Sequence, residues 1–544
     1  MTDGGRLVAK ALKREGVKVA FTLCGGHIMP IYEGCLDEGI RVVDVRHEQA
    51  AAMAADGWAR ATLGDPGVAL VTAGPGVMNA VTGLANAHRF DAPMVCLGGQ
   101  GDFARFDQGA LQEGTQLPVV APVTKWARGV YETRRLGEYV ATAFRQATAP
   151  RTGPAYLEVP WDILFGDAEE PPVARGATRI DARPRGDPEA VEAAARLLAA
   201  AERPVVIAGT SVGWCRAAGA LADLAQVLGA PVFLNGLARG SLAPGDPHFF
   251  NLARGRALAE CDVLLDVGTP FDFRLNYGES VPAAAQVVRV EVDAPQIALN
   301  RNVDVGLVGH VGAVLEDLAR ALKGRATPDR ARWLAALREE EARKLAVWAD
   351  DLASGQTPIH SYRFLKDLAS VVDRDTVVVG DGGNVVATAA KVIPVAGPGR
   401  WMDPGPLGCL GVGVPFAMAA KLAHPDRKVV VLSGDGSFGL NGFEIDSCVR
   451  QDIPVVVVVA NDGAWTQIRA PQVGLYGEER AVATKLGEKT RYDLVAEALG
   501  AHGELVTEPG GIIPALKRAQ ATNRPAVVNV VIDPATNQGS GKPM

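Results

Sequence analysis

The chain has 544 residues and 48% hydrophobic content, more than one hydrophobic core accommodates, so roughly two to four domains are expected. A net charge of −7 excludes broad nucleic-acid binding, and no apolar run reaches the ~18 residues that span a bilayer. The seven cysteines include no CxxC pair, which argues against a disulfide framework or a zinc site and points to a reducing, cytoplasmic setting.

The first twenty residues read as an amphipathic helix running into a strand, without the apolar core of a signal peptide. Up to about residue 165, apolar runs at 17–23, 41–45, 68–72 and 93–97 alternate with helical patterns such as 50–61, the signature of parallel βαβ units. A polar, proline-rich stretch, 166–188, reads as a linker. A second α/β run, 189–325, has strand patterns at 204–208, 231–234, 263–267 and 287–292. Residues 326–355 are charged and helical and read as a connection. A third run, 356–535, has strands at 376–379, 428–432, 454–460 and 526–532. Residues 536–544 form a polar tail expected to be mobile. The expected architecture is α/β, with three doubly wound parallel-sheet domains.

Residues 428–439 read KVVVLSGDGSFG. The β-branched run ends in Gly434-Asp435-Gly436, and a second run, PVVVVVA, ends in Asn461-Asp462-Gly463. As one βαβ unit, this puts Asp435 and Asp462 at the carboxyl ends of neighbouring parallel strands, the edge where open α/β sheets bind ligands. Two carboxylates there suit Mg²⁺, which takes one or two carboxylates together with phosphate oxygens. The glycines let the backbone approach a phosphate, and the amides of Gly436 and Ser437 face it from a helix start. The bland alternative is a turn whose acids cap helices.

The pair GDGSFG…NDGAW resembles the thiamine-diphosphate motif, GDG followed after a crossover by NN. The resemblance implies thiamine diphosphate at Gly434, Asp435, Gly436, Ser437, Asp462, Ala464 and Trp465, with the metal on Asp435, Asp462 and the carbonyl of Ala464. Asp462 departs from the pattern's second asparagine, but aspartate is also a hard oxygen ligand. The likeness extends over nearly the whole chain. RHEQAA at 46–51 is similar to the pyrimidine-binding domain of acetolactate synthase and its relatives, where the glutamate, here Glu48, bonds the cofactor's aminopyrimidine. A carboxyl beside a ring nitrogen can share a proton with it, favouring the imino tautomer that deprotonates the thiazolium. Without the resemblance Glu48 would be an ordinary acid at a helix start. TAGPGVMN at 72–79 matches the loop that meets the cofactor, implicating Thr72, Gly74, Pro75 and Asn79. GPLGCLG at 405–411 matches the segment under the bent cofactor: the Gly408 carbonyl would receive the amino group, and Leu410 stands as the apolar wedge. Gly383 and Asn384 match a loop that helps hold the diphosphate. Family geometry implies a homodimer or homotetramer with active sites between subunits, acting on a small molecule and on neither nucleic acid nor membrane.

For the reaction, LCGGHI at 23–28 and PWDIL at 160–164 resemble benzaldehyde lyase, and QGALQE at 108–113 resembles 2-hydroxyacyl-CoA lyase. His27 and Gln112 are thereby candidates to position or relay the substrate's hydroxyl proton, with the cofactor's own imine as a third. ARGRAL at 253–258 is similar to the acyl-CoA lyase group, in which the middle domain can hold an ADP moiety. Gly209, Arg254, Arg256, Arg274 and Asp293 would then serve a nucleotide or acyl-CoA, against a plain reading as surface arginines on a vestigial nucleotide fold. The middle domain's ligand stays open between ADP or CoA, FAD and none. Asp272 and Arg274 pull toward acetolactate synthase, whose arginine there faces the substrate. The favoured reaction is cleavage of a 2-hydroxyacyl-CoA to an aldehyde or ketone plus formyl-CoA, and its reverse. Acetolactate synthesis from two pyruvates and an acyloin lyase of the benzaldehyde-lyase type are the alternatives. GTSVG at 209–213 also fits the GxSxG of serine hydrolases, with no histidine or acid assigned to it.

Overall fold

The computed structural model describes residues 1–170, 177–487 and 490–537, which form three six-stranded sheets. The first contains β1 (Val19–Thr22), β2 (Arg41–Asp44), β3 (Gly67–Val71), β4 (Met94–Gln100), β5 (Trp126–Gly129) and β6 (Pro154–Pro160), in the order β2-β1-β3-β4-β6-β5. The second contains β7 (Pro204–Ala208), β8 (Val232–Leu234), β9 (Phe249–Phe250), β10 (Val263–Val267), β11 (Gln286–Glu291) and β12 (Val305–Val308), in the order β9-β8-β7-β10-β11-β12. The third contains β13 (Val377–Asp381), β14 (Trp401–Met402), β15 (Val429–Gly434), β16 (Val456–Asn461), β17 (His502–Val506) and β18 (Ala526–Val531), in the order β14-β13-β15-β16-β18-β17.

Every pairing within these sheets is parallel. Parallel strands need a crossover between them, and the crossover helices cover both faces, so the central strands are buried throughout rather than alternating. All six residues of β16 are buried for this reason. The α/β class expected from the sequence is the one observed. Among the described residues no helix is long and apolar enough to cross a membrane.

In 166–188, the described residues up to 179 lie against the first domain, whereas Arg183 and Arg185 pair with Glu316 and Asp317 of the middle domain. Asp167–Ala168 pairs with Thr2–Asp3, Glu170 with Lys10 and Arg14, and Arg179 with Glu15. In 326–355, the helix Ala331–Val347 buries Trp333 and Leu337 in the middle core. Arg330, just before it, donates to the carbonyls of Leu198, Ala199 and Ala201. The polar tail beyond Asn537 lies outside the described residues.

The first and third sheets share one core. The helix Glu48–Thr62 lies along Gly413–Ala423, and small residues let their backbones approach: a Cβ on Gly57 would sit 2.8 Å from the Cα of Phe416. Inside this contact Arg60 and Asp56 form a fully buried pair, with Nε to Oδ1 at 2.7 Å. Arg60 also donates to the Asp403 carbonyl, and its guanidinium lies between the rings of Phe90 (3.6 Å) and Phe416 (4.7 Å). Arg60→Met leaves Asp56 with Asn86 as its remaining side-chain donor. It is expected to cost about 3–5 kcal/mol, read as a lower urea midpoint. An unchanged midpoint would show that the pair contributes nothing to the docking of the two domains.

Candidate active site

At the carboxyl edge of the third sheet, three strand ends converge. Gly434 closes β15, and Asp435 begins the helix Asp435–Asn441. Asp435 accepts the N–H of Gly436 (2.8 Å) through one oxygen and that of Gly463 (2.9 Å) through the other. Asp462, just past β16, accepts Ala464 N–H (3.1 Å) and the side-chain amide of Asn537 (2.7 Å). Burial and the neighbouring Asp462 carboxylate push Asp435 up to about 7, and burial raises Asp462 as well. Two acids taken out of water so close together make a cleft that favours a cation.

The surrounding glycines are there for space. A Cβ on Gly436 would lie 2.6 Å from the ring of Trp465, and one on Gly383 would overlap the amide of Gln467. Gly382, at φ +150°, stands against Gly434 N, with Ser437 Oγ close by. Gly383 precedes the helix Asn384–Val392, and Asn384 donates to the Asn537 carbonyl at 2.9 Å. Asp381, at the end of β13, accepts Gly411 N–H (3.0 Å) and Gly413 N–H (2.8 Å), holding the loop that carries Gly408 and Leu410. Burial pushes Asp381 up to about 6. Gly408 has φ +71° and is exposed, whereas Leu410 is half-buried.

The first sheet's carboxyl edge builds a second cluster. Glu48, buried at the start of its helix, accepts the side-chain N–H of Asn79 at 2.9 Å. Gly76 lets Thr72 and Glu48 come together, since a Cβ there would sit 2.8 Å from Thr72 Cγ2 and 3.6 Å from Glu48 Oε1. His27 Nε2 is 3.1 Å from the Leu111 carbonyl, and Nδ1 is 3.3 Å from Thr72 Oγ1. A carbonyl only accepts, so Nε2 carries the ring proton and Nδ1 presents its lone pair beside Thr72. Burial lowers the His27 pKa. Thr72 Oγ1 is also 3.5 Å from Gln112 Oε1, so His27, Thr72 and Gln112 meet at one place. Gly74 and Pro75 open the adjoining helix Pro75–Arg89.

The five middle-domain residues do not form one site. A Cβ on Gly209 would lie 2.3 Å from the Gly268 carbonyl, so strand packing requires that glycine. Arg256 pairs with Glu260 and donates to the Ala336 carbonyl. Asp293 does not end a strand: β11 stops at Glu291, and Asp293 precedes the turn Ala294–Gln296. Arg254 and Arg274 do share a cavity, at the boundary with the third domain. Ser211 of GTSVG donates to Glu291 at 2.9 Å rather than to a histidine, which removes the hydrolase reading. Sequence reasoning missed Asp381, Asn537 and Glu444, the last of which accepts Arg46 N–H at 2.9 Å just ahead of Glu48.

Comparison with known families agrees with this division. Residues 2–119 match the N-terminal TPP binding domain of thiamine pyrophosphate enzymes, 191–318 their central domain and 381–530 their C-terminal TPP binding domain. The chain is 41% identical to an acetolactate synthase large subunit of Mycobacterium tuberculosis, over 98% of this chain and 96% of that one. It is 34% identical to human 2-hydroxyacyl-CoA lyase 2, over 97% and 90%. It is 32% identical to a probable acetolactate synthase large subunit of Methanocaldococcus jannaschii, over 98% and 92%. A chain with all three domains, and likeness of this extent to full-length relatives, belongs to the thiamine pyrophosphate enzymes and depends on thiamine diphosphate.

Proposed function

We propose that the enzyme cleaves 2-hydroxyacyl-CoA thioesters to an aldehyde or ketone plus formyl-CoA, and catalyses the reverse condensation. The observation that carries this reading is a cavity of about 660 Å³ between the middle and third domains, lined by Arg239, Arg254, Arg274, Lys344 and Lys391. Asp403 is the one acid among the described residues of its wall. Burial lowers the pKa of Arg254, and the charges of Arg239 and Arg274 lower it further; Lys391 is lowered by burial and by Arg254 and Lys344. Arg274 is paired with Asp272 and Lys344 with Glu340, whereas Arg239, Arg254 and Lys391 form no ion pair among the described residues. Such cations in a partly dry cavity call for a polyanion, and arginine forks suit phosphate. Pyruvate, a small monoanion, has no use for three unpaired cations, whereas the phosphates of CoA do. Phe233, Phe250 and Trp348 supply aromatic walls for its base.

Lys391 sits at the far end of the helix that begins with Asn384, roughly 10 Å along its axis from the diphosphate cleft. A thioester arm anchored in the cavity can therefore reach the reaction site. Bound thiamine diphosphate supplies a carbon nucleophile for a carbonyl and a sink for the released electron pair. His27 Nδ1 takes the 2-hydroxyl proton, relayed by the Thr72 hydroxyl, as the C1–C2 bond breaks, and Gln112 orients the substrate hydroxyl. Decarboxylation of a 2-oxo acid has no such proton to remove.

Gly383, Asn384, Gly434, Gly436 and Ser437 would hold the diphosphate, and Asp435, Asp462 and the Ala464 carbonyl would hold Mg²⁺. Among the described residues no three His, Cys, Asp or Glu side chains form a metal cage. The remaining ligands would come from water and phosphate, as Mg²⁺ prefers. Glu48 would serve the pyrimidine end from a second copy of the chain. Exposed Leu407, Leu440 and Phe443 beside the diphosphate cleft, and Met78 beside Glu48, support such a pairing.

The 41% identity to the Mycobacterium tuberculosis acetolactate synthase, against 34% to the human lyase, supports a second reading, the joining of two pyruvates. Purified enzyme supplied with thiamine diphosphate and Mg²⁺ and assayed in parallel on pyruvate and 2-hydroxyacyl-CoAs separates the two. Acetolactate formation without cleavage of any 2-hydroxyacyl-CoA would overturn the lyase assignment. Arg254→Ala is expected to raise the acyl-CoA KM about ten- to a hundredfold, the worth of one charged hydrogen bond. An unchanged KM would remove the cavity from substrate binding.

A further inference from the structure

Glu158 is a buried acid to which the proposed chemistry gives no role. It lies in β6, 3% exposed, beneath the loop 101–116 that carries Leu111 and Gln112. Two buried glutamines hold the feet of that loop. Gln116 donates Nε2 to Glu158 Oε2 (2.8 Å) and to the Gly99 carbonyl (2.9 Å), while its Oε1 accepts the N–H of Gly74 (2.5 Å). Gln100 donates to the Gly114 carbonyl (2.8 Å) and accepts Gly101 N–H (2.9 Å).

Glu158 and Gly99 together fix the orientation of the Gln116 amide. With acceptors on that side, Nε2 must face them, which turns Oε1 toward Gly74. A flipped amide would set N–H against N–H at Gly74. Gly74 in turn touches the reactive loop: at φ +59°, it has no room for a Cβ, which would meet the Gln112 carbonyl at 2.8 Å. Gln112 has φ +59° as well, a left-handed backbone that a residue with a side chain keeps only where its surroundings impose it.

We propose that Glu158 is a positioning residue: its buried carboxyl orients Gln116, which locks the Gly74 turn and the 101–116 loop so that Gln112 and the Leu111 carbonyl meet Thr72 and His27. The inference rests on the proposed roles of His27, which takes the substrate's hydroxyl proton, and of Gln112, which orients that hydroxyl.

The test is Glu158→Gln, which exchanges the carboxyl that accepts the Gln116 N–H for an amide and so weakens one of the three hydrogen bonds that hold Gln116 in place. Amide hydrogen exchange of the unliganded protein should speed up within 101–116 and at Gly74, with the rest of the first domain unchanged. On whichever of pyruvate or 2-hydroxyacyl-CoA is turned over, kcat should fall about ten- to a hundredfold with little change in KM. In a Gln112→Ala background the same substitution should add less than it costs in the wild type, because one of the two contacts that the loop delivers is already gone. Gln116→Ala should reproduce the pattern and serves if Glu158→Gln does not fold. Unaltered exchange in the loop, or losses that multiply in the double variant, would overturn the proposal. The exchange result does not depend on which substrate proves correct, so failure of the lyase reading is distinguishable from failure of this one.

Discussion

Glu48→Gln is expected to cut turnover by about a hundred- to ten-thousandfold on whichever substrate the enzyme uses. Glutamine keeps the oxygen that accepts the Asn79 side-chain N–H and keeps the length and burial of the side chain. The helix Glu48–Thr62 and its shared core with the third domain should therefore stand. What disappears is a carboxyl that can give and take a proton where a ring nitrogen is expected. Initial rates at saturating thiamine diphosphate measure the loss, and thermal unfolding checks that the fold is intact. Turnover close to the wild-type value would take Glu48 out of the chemistry and leave it as an acid at a helix start.

The parts of this site that were legible in the sequence are those made by adjacent residues. A β-branched run that stops at Gly434-Asp435-Gly436 announces a strand end, a turn and an acid together, and the strands confirm it because a doubly covered parallel sheet has no polar face. The supporting acids were not legible. Asp381 accepts N–H groups from Gly411 and Gly413, Glu444 from Arg46 and Glu158 from Gln116, and each pairing exists only once the strand order is known. In the middle domain, nearness in sequence misled. Arg254 and Arg256 are two apart in the helix Arg254–Glu260, so they leave it in nearly opposite directions, one into the basic cavity and the other to Glu260. The charged stretch read as a connection hid Trp333 and Leu337, one helical turn apart among solvent-facing residues, and these anchor it to the middle core.

Asp435→Asn is expected to abolish the stabilisation that Mg²⁺ and thiamine diphosphate give together. A ligand pair at a hundred times its dissociation constant adds about 2.7 kcal/mol to the folded state, a readily measured rise in the thermal midpoint. Both Asp435 oxygens accept backbone N–H groups, from Gly436 and Gly463. An asparagine amide would have to set its own N–H against one of them and would remove the charge that draws the ion. Asp462 is different. One of its oxygens accepts the Ala464 N–H and the other the Asn537 side chain, and asparagine is what the thiamine-diphosphate motif usually holds at this position. Asp462→Asn should therefore keep most of the ligand-induced shift. The contrast is the test: equal shifts in both variants, or loss in both, would mean that the two acids do not divide the work as a metal clamp with one essential and one replaceable carboxylate.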